Sequence, residues 1–240
     1  MVTSSQKIAF VTGASSGIGR AIAERLAADG HRVIAAARRL ELLDDLAAST
    51  DGVDPCALDV TDLDAVRTAV AAAVERYGRL DVFVANAGVM PLSRLDAGLV
   101  EQWNQMIDVN VRGLLHGIAA CSDAFREQGA GHFVTIASIG AHAVTPTAAV
   151  YCGTKYAAWA ITEGLRLESP PSVRVTTISP GVVESELAVT ITDPVAQQAM
   201  SEYRRHAIPA SAIADAVAFA VAQPPEVDVN EIVVRPVRQR

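Results

Sequence analysis

One α/β domain, a doubly wound, seven-stranded parallel sheet with helices on both faces, is the fold this sequence predicts. Three observations carry that expectation. Short apolar runs alternate with longer segments of helical period along the whole chain. Those runs are continuous rather than alternating, as strands covered on both faces are. The 240 residues are 50% hydrophobic and 20% charged, which is too apolar for disorder and enough to bury one large core. No linker, repeat or low-complexity tract divides residues 1–240, so they read as one domain.

The elements follow in order. Lys7–Val11 (KIAFV) is the first strand, and a helix carrying Ile18, Ile22 and Leu26 runs from it to a stop at Gly30. Arg32–Ala37 is the second strand, the charged stretch Arg39–Ala48 the next helix, and Val53–Leu58 the third strand. Asp62–Tyr77 is helical, with Thr61 as the expected N-cap and Gly78 as the stop. Asp81–Ala85 is the fourth strand, and one long helical stretch, about Leu99–Phe125, precedes the strand His132–Ala137. A helix from about Val150 to Glu168, the strand Val173–Ile178, helical pieces to Ala222 and a last strand Ile232–Val234 complete the chain. Right-handed crossovers between parallel strands put ligands at the carboxyl ends of the strands.

Charge and cysteines narrow the function. Acids exceed bases by 27 to 20, a net charge of −7, which argues against nucleic acid or an anionic membrane as the partner. Cys56, Cys121 and Cys152 are widely spaced and form no paired motif, so they read as ordinary thiols of a reducing compartment and no metal is expected. Met1–Lys7 lacks the apolar core of a signal peptide, and no run is long enough for a membrane span. A soluble cytoplasmic protein is the expectation.

After the first strand comes Thr12-Gly13-Ala14-Ser15-Ser16-Gly17-Ile18-Gly19, and a helix opens at once. Glycines there let the backbone turn tightly and approach a pyrophosphate, whose charge suits the positive end of the helix dipole. A plain strand-to-helix turn would use similar residues. The glycines are separated by three residues, then one, unlike the usual dinucleotide fingerprint.

TGASSGIG at 12–19 resembles the cofactor loop of the short-chain dehydrogenase/reductase family, a Rossmann-type fold, and the likeness runs through almost the whole chain. Asp59-Val60 ends the third strand where the family's aspartate meets adenine, and Asn86-Ala87-Gly88 matches its NAG motif. Asn110 lies in VNVRG, Ser138 ends the fifth strand, Tyr151-Cys152-Gly153-Thr154-Lys155 is the YxxxK motif, and Pro180-Gly181 follows the sixth strand. The resemblance implies a catalytic set of Asn110, Ser138, Tyr151 and Lys155. It implies a nucleotide held by Gly13, Ser15, Ser16, Gly17, Ile18, Gly19, Asp59, Val60, Asn86, Ala87, Gly88, Tyr151, Lys155, Pro180, Gly181, Val183 and Ser185. Ala85 replaces a second asparagine of many members, and Ser185 stands near the usual threonine.

Residue chemistry supports that set. Tyr151 and Lys155 are one helical turn apart and share a face. With four tyrosines and only Lys7 and Lys155 as lysines, random placement gives about 0.03 such pairs. An ammonium beside a phenol favours tyrosinate, and lowering a tyrosine from near 10 to about 7 takes about 4 kcal/mol, which the lysine and a cationic nicotinamide together would supply. Ser138 suits a hydrogen bond to a substrate oxygen, although a serine at a strand end also serves as a simple cap. Asn110, by resemblance, completes a proton relay through Lys155 and water.

Cofactor choice turns on Ala37-Arg38-Arg39 at the end of the second strand, where relatives that prefer NAD place an acid. Two arginines clamp a 2′-phosphate well, so NADP(H) is expected; solvated charges opening a helix near Glu41 are the alternative. No basic residue stands in the glycine loop, which reads Ser15-Ser16. The substrate wall is expected from Met90, His142, Val144, Val182, Leu187 and Tyr203, with His142 either a substrate contact or mere polar wall. These favour a fairly hydrophobic ketone or aldehyde. Residues 182–206 read as a lid. The C-terminal Asn230–Pro236 (NEIVVRP) resembles the subgroup containing clavulanic acid dehydrogenase and 3-hydroxy-acid dehydrogenases.

The resulting expectation is an NADP-dependent carbonyl reductase or alcohol dehydrogenase. A redox-sensing module without turnover, or a relative catalysing epimerisation or another non-reductive step, is the alternative. Its partner is a small-molecule carbonyl or alcohol. A homotetramer (or dimer) is expected through the helices at about 99–125 and 150–168, where Trp159 with Ala157, Ala158 and Ala160 offers a flat, small-residue surface.

Overall fold

The computed structural model describes residues 6–239. Seven parallel strands form one sheet in the order β3-β2-β1-β4-β5-β6-β7. They are β1 (Ile8–Thr12), β2 (Arg32–Ala37), β3 (Val53–Ala57), β4 (Val82–Ala85), β5 (Gly131–Ile136), β6 (Val173–Pro180) and β7 (Glu231–Val234). The helices are α1 (Gly17–Ala28), α2 (Leu40–Ser49), α3 (Leu63–Tyr77), α4 (Val100–Ile107), α5 (Gly113–Gln128), α6 (Ala149–Glu168), α7 (Pro194–Tyr203) and α8 (Ser211–Ala222). The strand order reverses between β1 and β4, which opens a crevice at their carboxyl ends.

Two apolar layers sandwich the sheet. On one face Ile22 and Leu26 of α1, Leu43 and Leu46 of α2, and Ile213 and Val217 of α8 cover alternate strand residues. On the other, Val66 and Val70 of α3, Leu114 and Phe125 of α5, and Ala158 of α6 do the same. Phe10, Phe83 and Phe133 stand in register on β1, β4 and β5 and stack with ring centroids 5.4 and 5.3 Å apart. Such offset rings stabilise beyond their buried area by about 0.5–1.5 kcal/mol per pair. The continuous apolar pattern holds for the central strands only. The edge strands β3 and β7 are partly exposed, and β3 carries Pro55, a residue tolerated at an edge because no ladder donor is lost there.

The structure corrects three local expectations. Asp62, not Thr61, caps α3, its carboxylate accepting from the Ala65 N–H at 3.0 Å, while the Thr61 backbone and hydroxyl both donate to Asp59. The helical stretch 99–125 is interrupted: a π turn at Asp108–Arg112 separates α4 from α5. Ala158 is buried against the sheet rather than offered to the surface, whereas Trp159 is partly exposed. None of the described helices is long and apolar enough to cross a membrane.

Candidate active site

The glycine turn sits where β1 and β4 end together, and their side chains lock it. Thr12 Oγ1 accepts from the Asn86 and Ala87 N–H groups, both at 3.0 Å, and Asn86 Nδ2 donates to the Thr12 carbonyl at 2.8 Å. Gly13 has φ +67°, and a Cβ there would lie 2.8 Å from Ala87 Cα; one on Gly19 would lie 2.3 Å from the Gly13 carbonyl. Both glycines are therefore required by packing within the protein, independently of any ligand. Ser16 precedes α1 without a side-chain cap. The N–H groups of Gly17, Ile18 and Gly19 have no partner within the helix and border the crevice, as an anion site requires.

The crevice is a cavity of about 980 Å³, at the upper end of the range for small-molecule sites. One end is walled by the glycine turn, Arg38, Arg39, Asp59 and Val60, the other by Ser138, Tyr151, Lys155, Met90, Val182 and Tyr203. Ala87, Gly88, Pro180, Gly181, Val183, Ser185 and Leu187 also line it. Burial alone would raise the Asp59 carboxyl, but hydrogen bonds from Thr61 and the nearby Arg38 outweigh it and hold the acid below its usual range.

Lys155 is buried on α6 and donates to the Ile136 carbonyl at 2.9 Å. Burial disfavours its ammonium and lowers it to about 8. The Tyr151 phenol moves opposite to the expected direction. Burial pushes it up to about 12, and the Ser138 hydroxyl beside it only partly offsets that. The Lys155 ammonium, 5.8 Å from the ring centroid, does not bring the phenol toward neutrality.

Asn110 lies on the π turn, buried, and not on the wall of the large cavity. Its Oδ1 accepts from the Val89 N–H at 2.8 Å, and its Nδ2 donates to the Val89 carbonyl at 3.0 Å and Thr154 Oγ1 at 3.1 Å. The side chain is thus committed to holding the chain after β4 against α6. A Cβ on Gly88 would lie 3.3 Å from Asn110 Oδ1 and 3.8 Å from Lys155 Nζ, so both groups flank that glycine. A second cavity of about 20 Å³ also lies between Asn110 and Lys155, a size that admits one water.

Two expected wall residues lie elsewhere. His142 turns away, its Nε2 2.8 Å from Glu231 Oε1 and 3.2 Å from Ser179 Oγ, because the edge-strand carboxylate is its available polar partner. Val144 is exposed on the surface. The wall instead uses Thr145 to Ala148, Cys152, Met200, Arg204 and Arg235, which local spacing did not single out. The 182–206 region contains a 3₁₀ turn at Glu186–Thr190 and then α7, capped by Asp193 through Val195 and Ala196 N–H groups. Gln239 Oε1 accepts from the Val182 N–H at 3.0 Å, and its Nε2 meets the Tyr203 hydroxyl, so the C-terminal tail buttresses the same wall.

This fold, with a glycine turn at the switch point, Ser138 just past β5, and Tyr151 and Lys155 on α6, defines a class. The short chain dehydrogenase family model matches residues 7–196, and the chain belongs to that family of oxidoreductases. It is 42% identical over 238 residues to an uncharacterised oxidoreductase of Staphylococcus saprophyticus, covering 97% of each chain. Among solved structures it is similar to an alcohol dehydrogenase from the archaeon Thermococcus sibiricus in complex with 5-hydroxy-NADP, with 31% identity, TM-score 0.87 and 98% of each chain covered. It is also similar to the closed form of a serine dehydrogenase complexed with NADP+, with 29% identity, TM-score 0.88, and 97% of this chain and 96% of that one covered.

Proposed function

We propose that this protein is an NADP(H)-dependent carbonyl reductase or alcohol dehydrogenase acting on a small, largely apolar ketone or aldehyde. The observation that carries the reading is the placement of Ser138, Tyr151 and Lys155 on one wall of a cavity whose far wall holds the glycine turn and two arginines. The unpartnered N–H groups at the start of α1 fit a diphosphate, Asp59 and Val60 fit an adenine, and Arg38 and Arg39 fit a 2′-phosphate. The two NADP-containing relatives above support that assignment.

A bound nicotinamide nucleotide supplies or accepts the hydride. Ser138 holds the substrate oxygen by a hydrogen bond. Tyr151, hydrogen-bonded to Ser138 at the cavity wall, donates the proton to that oxygen during reduction. Lys155 lies behind it and restores the proton through the small cavity it shares with Asn110, whose side chain fixes the geometry of the relay. Met90, Val182, Leu187 and Tyr203 give the wall its apolar character, and residues 182–206 act as the lid. The nearby Arg204 and Arg235 permit an anionic group at the rim.

A homotetramer is the assembly we propose, because Leu115 on α5 and Tyr156, Trp159 and Leu167 on α6 leave apolar surface exposed. Light scattering at micromolar concentration tests it, and a monomeric mass refutes it. NADPH oxidation against a panel of ketones and aldehydes tests the activity. NADPH turnover with at least one aliphatic or aromatic ketone is the expected result, and binding of the nucleotide without oxidation by any carbonyl would instead favour a sensing module.

A further inference from the structure

The Arg39 guanidinium is already engaged. Its Nη2 lies 3.1 Å from Ser15 Oγ, 3.0 Å from Ser16 Oγ and 3.0 Å from Glu186 Oε2. Ser15 and Ser16 belong to the glycine turn, while Glu186 opens the 3₁₀ turn of the lid segment. The same segment is held from its other side by Arg204, whose Nη2 donates to the Ser185 carbonyl at 2.7 Å. Arg39 and Glu186 both border the large cavity, and both side chains are well exposed, at 46% and 60%. Arg38 makes no hydrogen bond or ion pair with a carboxylate among the described residues. Arg39 is thus directly paired with an acid of this chain, whereas Arg38 acts on Asp59 only at longer range.

The Arg39 guanidinium, which donates to both serine hydroxyls and to the Glu186 carboxylate, is also a donor that a phosphate monoester would use. The carboxylate brings a negative charge to the place where a 2′-phosphate would bring close to two more. Resting on the assignment of Arg39 to the 2′-phosphate, we infer that Glu186 is a cofactor-discriminating residue. Its carboxylate competes with the 2′-phosphate for Arg39, so a phosphorylated nucleotide must displace it whereas NAD(H) leaves the pair intact. Glu186 thereby reduces the preference for NADP(H) that the arginines alone would give.

The test is a set of dissociation constants for NADPH and NADH, from nucleotide fluorescence, in the parent, E186Q, R39A and the double variant. Because the pair is exposed, E186Q should tighten NADPH by about three- to tenfold and change NADH by less than about twofold. In the R39A background the same substitution should gain less than about twofold, the signature of coupling between the two residues. At about 0.5 M salt the gain should shrink, since exposed charges are screened. Equal shifts for both nucleotides would show that Glu186 merely holds the lid, and weaker or unchanged NADPH binding in E186Q would show that it does not compete; either overturns the inference. The two readings separate cleanly. A parent that prefers NADH while E186Q still moves selectively toward NADPH would remove the NADPH assignment and keep the role of Glu186. A parent that prefers NADPH with no selective shift in E186Q would do the reverse.

Discussion

The two ends of the cavity are built on opposite physical terms. At the Tyr151 end, Lys155 is buried, its ammonium bonded to a backbone carbonyl, and burial displaces the ionisation of both side chains. At the arginine end, charges meet in open solvent, and the pair Arg39–Glu186 is more than two-fifths exposed on each side. Low dielectric makes each group at the first end count heavily, and water and salt dilute each group at the second. The proposed function thus places chemistry where the protein dominates and nucleotide choice where the solvent does.

The largest expected effect lies at the buried end. Tyr151→Phe should lower turnover by at least about 10²-fold, the scale of general acid catalysis, with nucleotide affinity nearly unchanged. Near-normal turnover by steady-state assay would break the contrast at its strongest point. Next comes the ionisation of Lys155. Its folded pKa, about 8, lies below the ordinary 10.5. Between those values the unfolded chain holds a proton the folded one does not, so the lysine's contribution to stability rises with pH across that window and is constant below it. The stability of the parent relative to Lys155→Met should therefore increase from pH 7.5 to pH 10.5 by on the order of 3 kcal/mol at most. Urea unfolding of the nucleotide-free proteins at both pH values measures it, and an unchanged difference would mean that the lysine is well solvated.

At the exposed end the effects are smaller. Replacing Arg38 and Arg39 together by alanine should cut kcat/KM for NADPH by about tenfold, toward the lower limit for charge-assisted contacts, and leave NADH nearly unchanged. An undiminished NADPH preference would move the phosphate to other residues. Smallest of all is Val144→Ser, outside the cavity, which should alter kcat/KM by less than about twofold. A larger loss would put that side chain back on the wall.

The same contrast governs what could be read from the chain. Central strands are legible because burial on both faces leaves no choice of residue, as in Ile8–Thr12 and Val82–Ala85. The glycine turn and the Tyr151–Lys155 spacing are legible because strand-to-helix and one-turn relations are local. Thr61 and Asp62 are both good caps, and only the path of the chain decides between them. The π turn at Asp108–Arg112 has no periodicity of its own to detect. His142 is directed by Glu231, which is 89 residues away, and Arg39 by Glu186, which is 147 away. The direction of the Tyr151 shift escaped for a related reason. Charge neighbours are visible in a motif, but the depth of burial is a property of the assembled wall.

The row of Phe10, Phe83 and Phe133 also bears on the order in which the molecule forms. Those rings come from strands 73 and 50 positions apart in the chain, and the parallel pairing around them closes long loops before any of it is repaid by contact. A chain that has emerged only as far as residue 120 lacks β5, and with it the third ring and the ledge that carries Ser138. The glycine turn gains its Thr12–Asn86 lock once β1 and β4 meet, whereas the buried seat of Lys155 against Ile136 waits for α6 to dock on β5. The two ends of the cavity therefore depend on different strand pairings, and the expected result of pulsed hydrogen exchange is protection of the amides of β1 and β4 before those of β6 and β7.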